Sequence, residues 1–191
     1  MKLFIGCSSS NELDKVYMEE CSKFLDCVLR ENDLVYGAYN NGIMKLAFDS
    51  AKKYNRKIYA VATEKYKSEL EMINADYKLP VPTTYNRSEE LVRLSDMVII
   101  LPGGIGTVTE FISSIEAMRN SDFEKPILIY NINGFYDEFI SFLDKIYNEK
   151  FSSAEGRDFY YIASDQESAF RYVKEKEIEY GKKNWTNRTT K

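Results

Sequence analysis

Asp96-Met97-Val98-Ile99-Ile100-Leu101-Pro102-Gly103-Gly104-Ile105-Gly106-Thr107-Val108-Thr109-Glu110 is the stretch on which the reading of the fold turns. Its opening residues are almost unbroken apolar, as expected of a strand buried on both faces at the centre of a parallel sheet. A turn containing three glycines follows, and then a helix predicted to run to about Arg119. In open α/β sheets, ligands sit beyond the carboxyl ends of the strands, where such glycine-rich turns enter helices.

Working outward, the same alternation of short apolar runs and longer amphipathic stretches recurs on both sides. Before the central strand, strands are predicted at 2–6, 33–37 and 57–61, with helices at about 13–31 and 42–54. The segment 64–82 is more polar and irregular and suggests one short helix, and a helix over about 87–95 leads into the central strand. After it come a strand at 126–130, a helix over about 134–149, a short edge strand at 160–162 and a helix over about 166–178. This is the pattern of repeated βα units. The predicted fold class is therefore α/β, a single-domain, Rossmann-like, doubly wound parallel sheet with helices on both faces. No internal repeat, low-complexity block or linker divides the chain. Residues 1–180 are expected to form the domain, and the polar stretch 181–191 a mobile tail.

Composition narrows the function. The chain has 191 residues, 44% hydrophobic and 29% charged, a balance typical of a soluble globular protein with a substantial core. No apolar run approaches the ~20 residues that span a bilayer, and Met1-Lys2-Leu3-Phe4-Ile5-Gly6-Cys7 lacks the pattern of a secretory signal. A cytoplasmic location is expected, with no membrane partner. The three cysteines (Cys7, Cys21, Cys27) have neither disulfide-framework nor metal-type spacing and read as small buried hydrophobes. No metal and no cofactor is expected. A formal charge of −4 argues against a nucleic-acid partner. It says nothing against one small phosphorylated ligand. With no histidine in the sequence, acid–base chemistry must fall to carboxylates, Tyr, Lys or Cys.

In the glycine-rich turn, Gly103, Gly104 and Gly106 permit close approach of the backbone to a ligand. The helix that follows offers unpaired N–H groups and the positive end of its dipole, suited to a phosphate. Thr107 can add a hydroxyl, and Glu110, read as lying in the first turn of that helix, can face the same cavity. A plain strand–helix turn with a carboxylate near a helix N-terminus would read the same way. The turn lacks the lysine of a phosphate-binding P-loop, and its glycine spacing departs from the dinucleotide fingerprint.

Pro102-Gly103-Gly104-Ile105-Gly106-Thr107-Val108-Thr109-Glu110 is similar to the PGGxGTxxE signature of the LONELY GUY family, phosphoribohydrolases that release cytokinin bases from their riboside monophosphates. Other segments match in the family's order. These are Gly6-Cys7-Ser8-Ser9, Leu34-Val35-Tyr36-Gly37 followed by Gly42-Ile43-Met44, Arg87 shortly before Ser95-Asp96, Lys125-Pro126-Ile127, and Asn133-Gly134-Phe135-Tyr136-Asp137. The resemblance covers roughly residues 2–175. It departs at the family's glycine triplet, which reads Gly37-Ala38-Tyr39, at Ser88 in place of a lysine, and at Lys45 in place of a glycine.

The resemblance implies hydrolysis of a nucleoside 5′-monophosphate, AMP or an N6-substituted AMP, to free base and ribose 5-phosphate. It implies that Arg87 and Glu110 are catalytic. Glycosidic cleavage passes through a ribose with oxocarbenium character, so Glu110 suits a place near the anomeric carbon. Arg87 would pair with Glu110, grip the phosphate or assist the leaving base, unless it simply forms an ion pair with Glu89, Glu90 or Asp96. Ser8, with Ser9, either contacts ribose or phosphate or makes a plain turn. Asn40, with Asn41, either contacts the ligand or caps the next helix. Tyr39 either stacks on a base or blocks the pocket. Arg119 is the nearest candidate for the family's further phosphate-binding arginine, and a homodimer packed along the helix after Glu110 is expected. A competing reading from the same superfamily is a nucleotide-derivative sensor without turnover. A pyridoxal-dependent lysine decarboxylase is not indicated, because no Schiff-base lysine in a cofactor-sized context is visible.

Overall fold

The protein is described here by a computed structural model covering residues 1–122 and 124–189. Seven strands, β1 (Lys2–Gly6), β2 (Asp33–Tyr36), β3 (Ile58–Thr63), β4 (Tyr77–Val81), β5 (Met97–Ile100), β6 (Ile127–Tyr130) and β7 (Tyr160–Ala163), form one sheet. All their pairings are parallel, in the order β4-β3-β2-β1-β5-β6-β7. The helices are α1 (Lys15–Val28), α2 (Gly42–Lys53), α3 (Lys67–Met72), α4 (Thr84–Leu94), α5 (Ile105–Arg119), α6 (Asp137–Asn148) and α7 (Gln166–Thr189). The strand order reverses between β1 and β5, which makes their carboxyl ends the switch point where an open α/β sheet forms its binding crevice.

The unbroken apolar character of β5 has the expected cause. Met97 and Ile99 pack into one core and Val98 and Ile100 into the other, on opposite faces of the sheet. Leu3 and Ile5 against Phe4 do the same in β1. The first core is closed by α1, α2 and α7 through residues such as Phe24, Ile43 and Val173, and the second by α4, α5 and α6 through Leu91, Phe111 and Leu143.

Three elements differ from the sequence reading. The segment 64–82 holds α3 and an edge strand, β4, which pairs with β3 over Tyr59–Thr63. Its residues are mostly half-exposed, and Pro80 interrupts the apolar pattern, so no hydrophobic run marked it. Asn41 takes the N-cap position of α2, but its side chain makes no cap bond. The Oδ1 of Asn11 accepts the Gly42 N–H instead, at 3.0 Å. Finally, α7 continues to Thr189 instead of ending near 178, so residues 181–189, read as a tail, prolong the helix. Residues 190–191 lie outside the described residues.

Candidate active site

Four chain segments far apart in sequence meet at the switch point. The loop after β1 supplies Cys7 to Ser10, the loop after β2 supplies Tyr39, α4 supplies Arg87, and the turn into α5 supplies Gly104, Gly106, Thr107 and Glu110. With Met44 they line a central cavity of about 350 Å³.

The turn is held from below. The Tyr136 hydroxyl donates to the Leu101 carbonyl at 2.8 Å, and the Ser8 N–H donates to the Pro102 carbonyl at 3.1 Å. Gly103 is required by packing rather than by a ligand, since a Cβ there would collide with the Thr107 hydroxyl. It lines a neighbouring hollow of about 360 Å³ with Ser8 and Phe135. At Gly104 and Gly106 an added Cβ would meet nothing within 4 Å, so the backbone stands open to the solvent side. Gly104 is the N-cap of α5, and its carbonyl accepts the first intrahelical bond, from Val108. Helix geometry leaves the N–H groups of Ile105, Gly106 and Thr107 without intrahelical acceptors, at the positive end of a fifteen-residue helix. Such a terminus is suited to an anion.

Glu110 lies in the second turn of α5, not the first, and is only 2% exposed. Its burial is therefore not the ordinary preference of carboxylates for exposed helix starts. One carboxylate oxygen lies 3.5 Å from Nη2 of Arg87, and the other is buried without a hydrogen-bond partner. Burial pushes the carboxyl up to about 7, with the Arg87 charge opposing. Gly6, at the end of β1, leaves room for that oxygen, since a Cβ there would lie 3.2 Å from it.

Arg87 pairs with Glu110, not with Glu89, Glu90 or Asp96. Glu90 is taken by Arg93, and Asp96 accepts from the Lys2 N–H. The guanidinium runs directly beneath Gly37, where a Cβ would collide with Nη2 and lie 3.0 Å from Cζ. Its Nε is buried without a partner. Gly37 and Gly6 are thus structural members of the site whose role no single stretch of sequence displays. The signal available was a glycine at the carboxyl end of β1 and another directly after β2.

The structure brings together Ser8, Arg87, Gly104, Gly106, Thr107 and Glu110. It sets Asn40 apart, exposed on a separate cavity of about 540 Å³. It also keeps Arg119 away from the site within this chain. Arg119 ends α5 some 20 Å from its start at ~1.5 Å rise per residue, exposed and bonded to Glu116 at 3.0 Å. Ser88 points away from Arg87 as well, bonding the Thr84 carbonyl and lining a cavity between α4 and α5. The Asn133–Asp137 segment is a turn brace. Asn131 donates to Asp137 at 2.7 Å, and Gly134 adopts φ +69° against that carboxylate.

Cys7 reaches the cavity floor, but burial holds its thiol well above the usual range, so it is not a thiolate nucleophile. No lysine lines the central cavity among the described residues. The site therefore combines a helix N-terminus suited to an anion, a buried carboxyl and a guanidinium.

A family model described as "Possible lysine decarboxylase" matches residues 44–173. The probable cytokinin riboside 5′-monophosphate phosphoribohydrolase LOGL6 of Oryza sativa subsp. japonica is 29% identical over 164 residues, 85% of this chain and 66% of that protein. The cytokinin riboside 5′-monophosphate phosphoribohydrolase LOG4 of Arabidopsis thaliana is 30% identical over 158 residues, 82% of this chain and 74% of that protein. The chain thus spans about two thirds of the rice protein's length. Among solved structures, the molybdenum cofactor carrier protein of Chlamydomonas reinhardtii superposes with a TM-score of 0.67 at 14% identity, covering 93% of this chain and 98% of that one, a likeness of fold alone. On the model match and the identity to LOG4, this chain belongs to the LONELY GUY (LOG) family.

Proposed function

We propose that this protein is a nucleoside 5′-monophosphate phosphoribohydrolase. The observation that carries the proposal is the Glu110 carboxyl, buried beside Arg87 in a cavity whose other wall is the open N-terminus of α5. The named activities of the rice and Arabidopsis relatives support the same reaction class.

The phosphate sits on the N–H groups of Ile105 to Thr107, with the Thr107 hydroxyl beside it, and Ser8 faces the ribose. As the bond from C1′ to the base nitrogen breaks, its electron pair leaves with the base and positive charge grows on the ribose. Ionised Glu110 stabilises that charge and orients a water for attack at C1′. The water's hydroxyl becomes the new C1′ substituent and its proton passes to Glu110. The departing base takes up one proton, eased by the Arg87 guanidinium or by solvent. The products are free base and ribose 5-phosphate.

Incubating the protein with AMP and with N6-isopentenyl-AMP, and following free base by chromatography, tests the proposal. Base and ribose 5-phosphate should appear with the native protein and not with Glu110→Ala. Bound nucleotide recovered intact would replace hydrolysis with a binding role.

The pH dependence has a definite sign. The carboxylate is the working form and Glu110 sits at about 7, so it is neutral below that pH and charged above it. The rate should rise through about pH 7 as Glu110 ionises. The limb is read from kcat/KM against pH, and its absence from the residual rate of Glu110→Gln assigns it.

The protein also acts as a homodimer in this reading, in the cytoplasm. Ile105, Ile112 and Tyr85 stand 84%, 40% and 83% exposed on α5 and α4, and Tyr85 also lines an open cavity of about 590 Å³ with residues of both helices. Exposed apolar side chains such as these three suit a partner. Light scattering should give twice the 22.2 kDa chain mass, falling to one chain in Ile112→Glu. The cysteines are all free thiols, as suits a reducing compartment. Among the described residues, no helix is long and apolar enough to cross a membrane.

A further inference from the structure

Two cavities lie side by side at the carboxyl edge of the sheet, one by β1 and β5 and the other by β2 and β3, and one residue lines both. Tyr39 belongs to the 350 Å³ central cavity with Arg87 and Glu110, and to the 540 Å³ cavity walled by Tyr36, Phe48, Ala62 and Tyr66. The larger space is mainly apolar and aromatic. Tyr39 holds its position by an edge contact with Tyr66, ring centroids 5.7 Å apart at 64°. The residue before it, Ala38, adopts φ +62°, a conformation a non-glycine residue takes only when its surroundings enforce it. The chain is thus turned sharply to deliver the ring between the two spaces.

Size decides what this does. Small-molecule sites commonly span ~300–1,000 Å³, so the central cavity is near the lower limit. A nucleotide with a plain base would take up most of it, and an extension on the base would need further space. The room for one lies next door, behind the Tyr39 ring.

We infer that Tyr39 is a specificity-determining residue that partitions the cleft, confining the substrate's base to the central cavity and excluding bulky apolar base substituents from the aromatic compartment. The inference rests on the nucleotide reading above and adds to it a preference for nucleoside monophosphates with unsubstituted bases. The neighbouring compartment is latent, opened by removal of the ring. Steric exclusion of even small groups changes discrimination by ~10–200-fold.

The test reads binding, so that it stands apart from catalysis. The Kd values for AMP and N6-benzyl-AMP are measured by equilibrium dialysis in the Glu110→Gln background, where turnover is lost, with and without Tyr39→Gly or Tyr39→Phe. Wherever an aromatic ring is kept at position 39, as with Tyr39 or Tyr39→Phe, AMP should bind at least tenfold tighter than N6-benzyl-AMP. With Tyr39→Gly, that ratio should fall at least tenfold, by gain of N6-benzyl-AMP affinity. Tyr39 is 36% exposed, so its loss leaves the core intact, which a thermal melt confirms. A preference for N6-benzyl-AMP with Tyr39 in place, or a ratio that Tyr39→Gly leaves within twofold, overturns the partition. Failure of either nucleotide to bind overturns the nucleotide reading and the partition with it, whereas binding without base release overturns only the hydrolysis.

Discussion

Glu110→Gln should cut base release from AMP by at least about a thousandfold, with nucleotide still bound. The amide keeps the shape of the side chain but cannot carry the charge that stabilises the ribose or take up the water's proton. Positioned acid–base groups and charge-stabilising groups each contribute ~10²–10⁴-fold, and here one carboxyl performs both tasks. Its position makes the effect large. At 2% exposure, with one oxygen left without a partner, Glu110 is desolvated, and a charge in such a site acts more strongly than in water. Single-turnover kinetics at saturating AMP separates the loss of chemistry from loss of binding. A rate within tenfold of native would remove Glu110 from the mechanism.

Gly37→Ala should also be damaging, to a lesser degree, although residue 37 lines neither cavity. The new methyl would occupy the place of Arg87 Nη2, and the surrounding backbone of β2 is buried and cannot yield. The guanidinium must swing away from Glu110, from which it is now 3.5 Å. A displacement of about 1 Å in a catalytic group costs ~10²-fold, so kcat/KM should fall about a hundredfold, close to the loss in Arg87→Ala. The double variant Gly37→Ala/Arg87→Ala should be no worse than either single one, because both remove the same interaction. Additive losses would show that Gly37 matters for another reason. The paired measurement is thus a direct reading of which atoms Gly37 makes room for.

The two predictions differ in how visible their residues are along the chain. Glu110 lies in a contiguous stretch whose glycine turn and helix announce an anion site. Gly37 has meaning only once Arg87, fifty positions later, is seen beneath it. Local sequence also does not fix where a side chain reaches. Arg119 shares a helix with Glu110, yet α5 carries it to the opposite end, where Glu116 takes its charge. Asn41 sits where a cap belongs, yet Asn11, from the loop after β1, does the capping.

From the sequence alone came the parallel α/β sheet, the central position of β5, and the turn at which a ligand would meet a helix terminus. These follow from apolar periodicity and turn chemistry, which act over a few consecutive residues and are written locally. The resemblance further singled out Arg87 and Glu110 as a pair. Only the tertiary structure decided that the pair is buried and in contact, that Gly6 and Gly37 clear space for it, and that Tyr39 stands between two cavities. The edge strand β4 was likewise decided by its partner, since β3 supplies the hydrogen bonds that its half-exposed sequence could not advertise. Burial, the raised carboxyl and cavity shape arise where segments distant in sequence converge, and no local pattern encodes the distance between them.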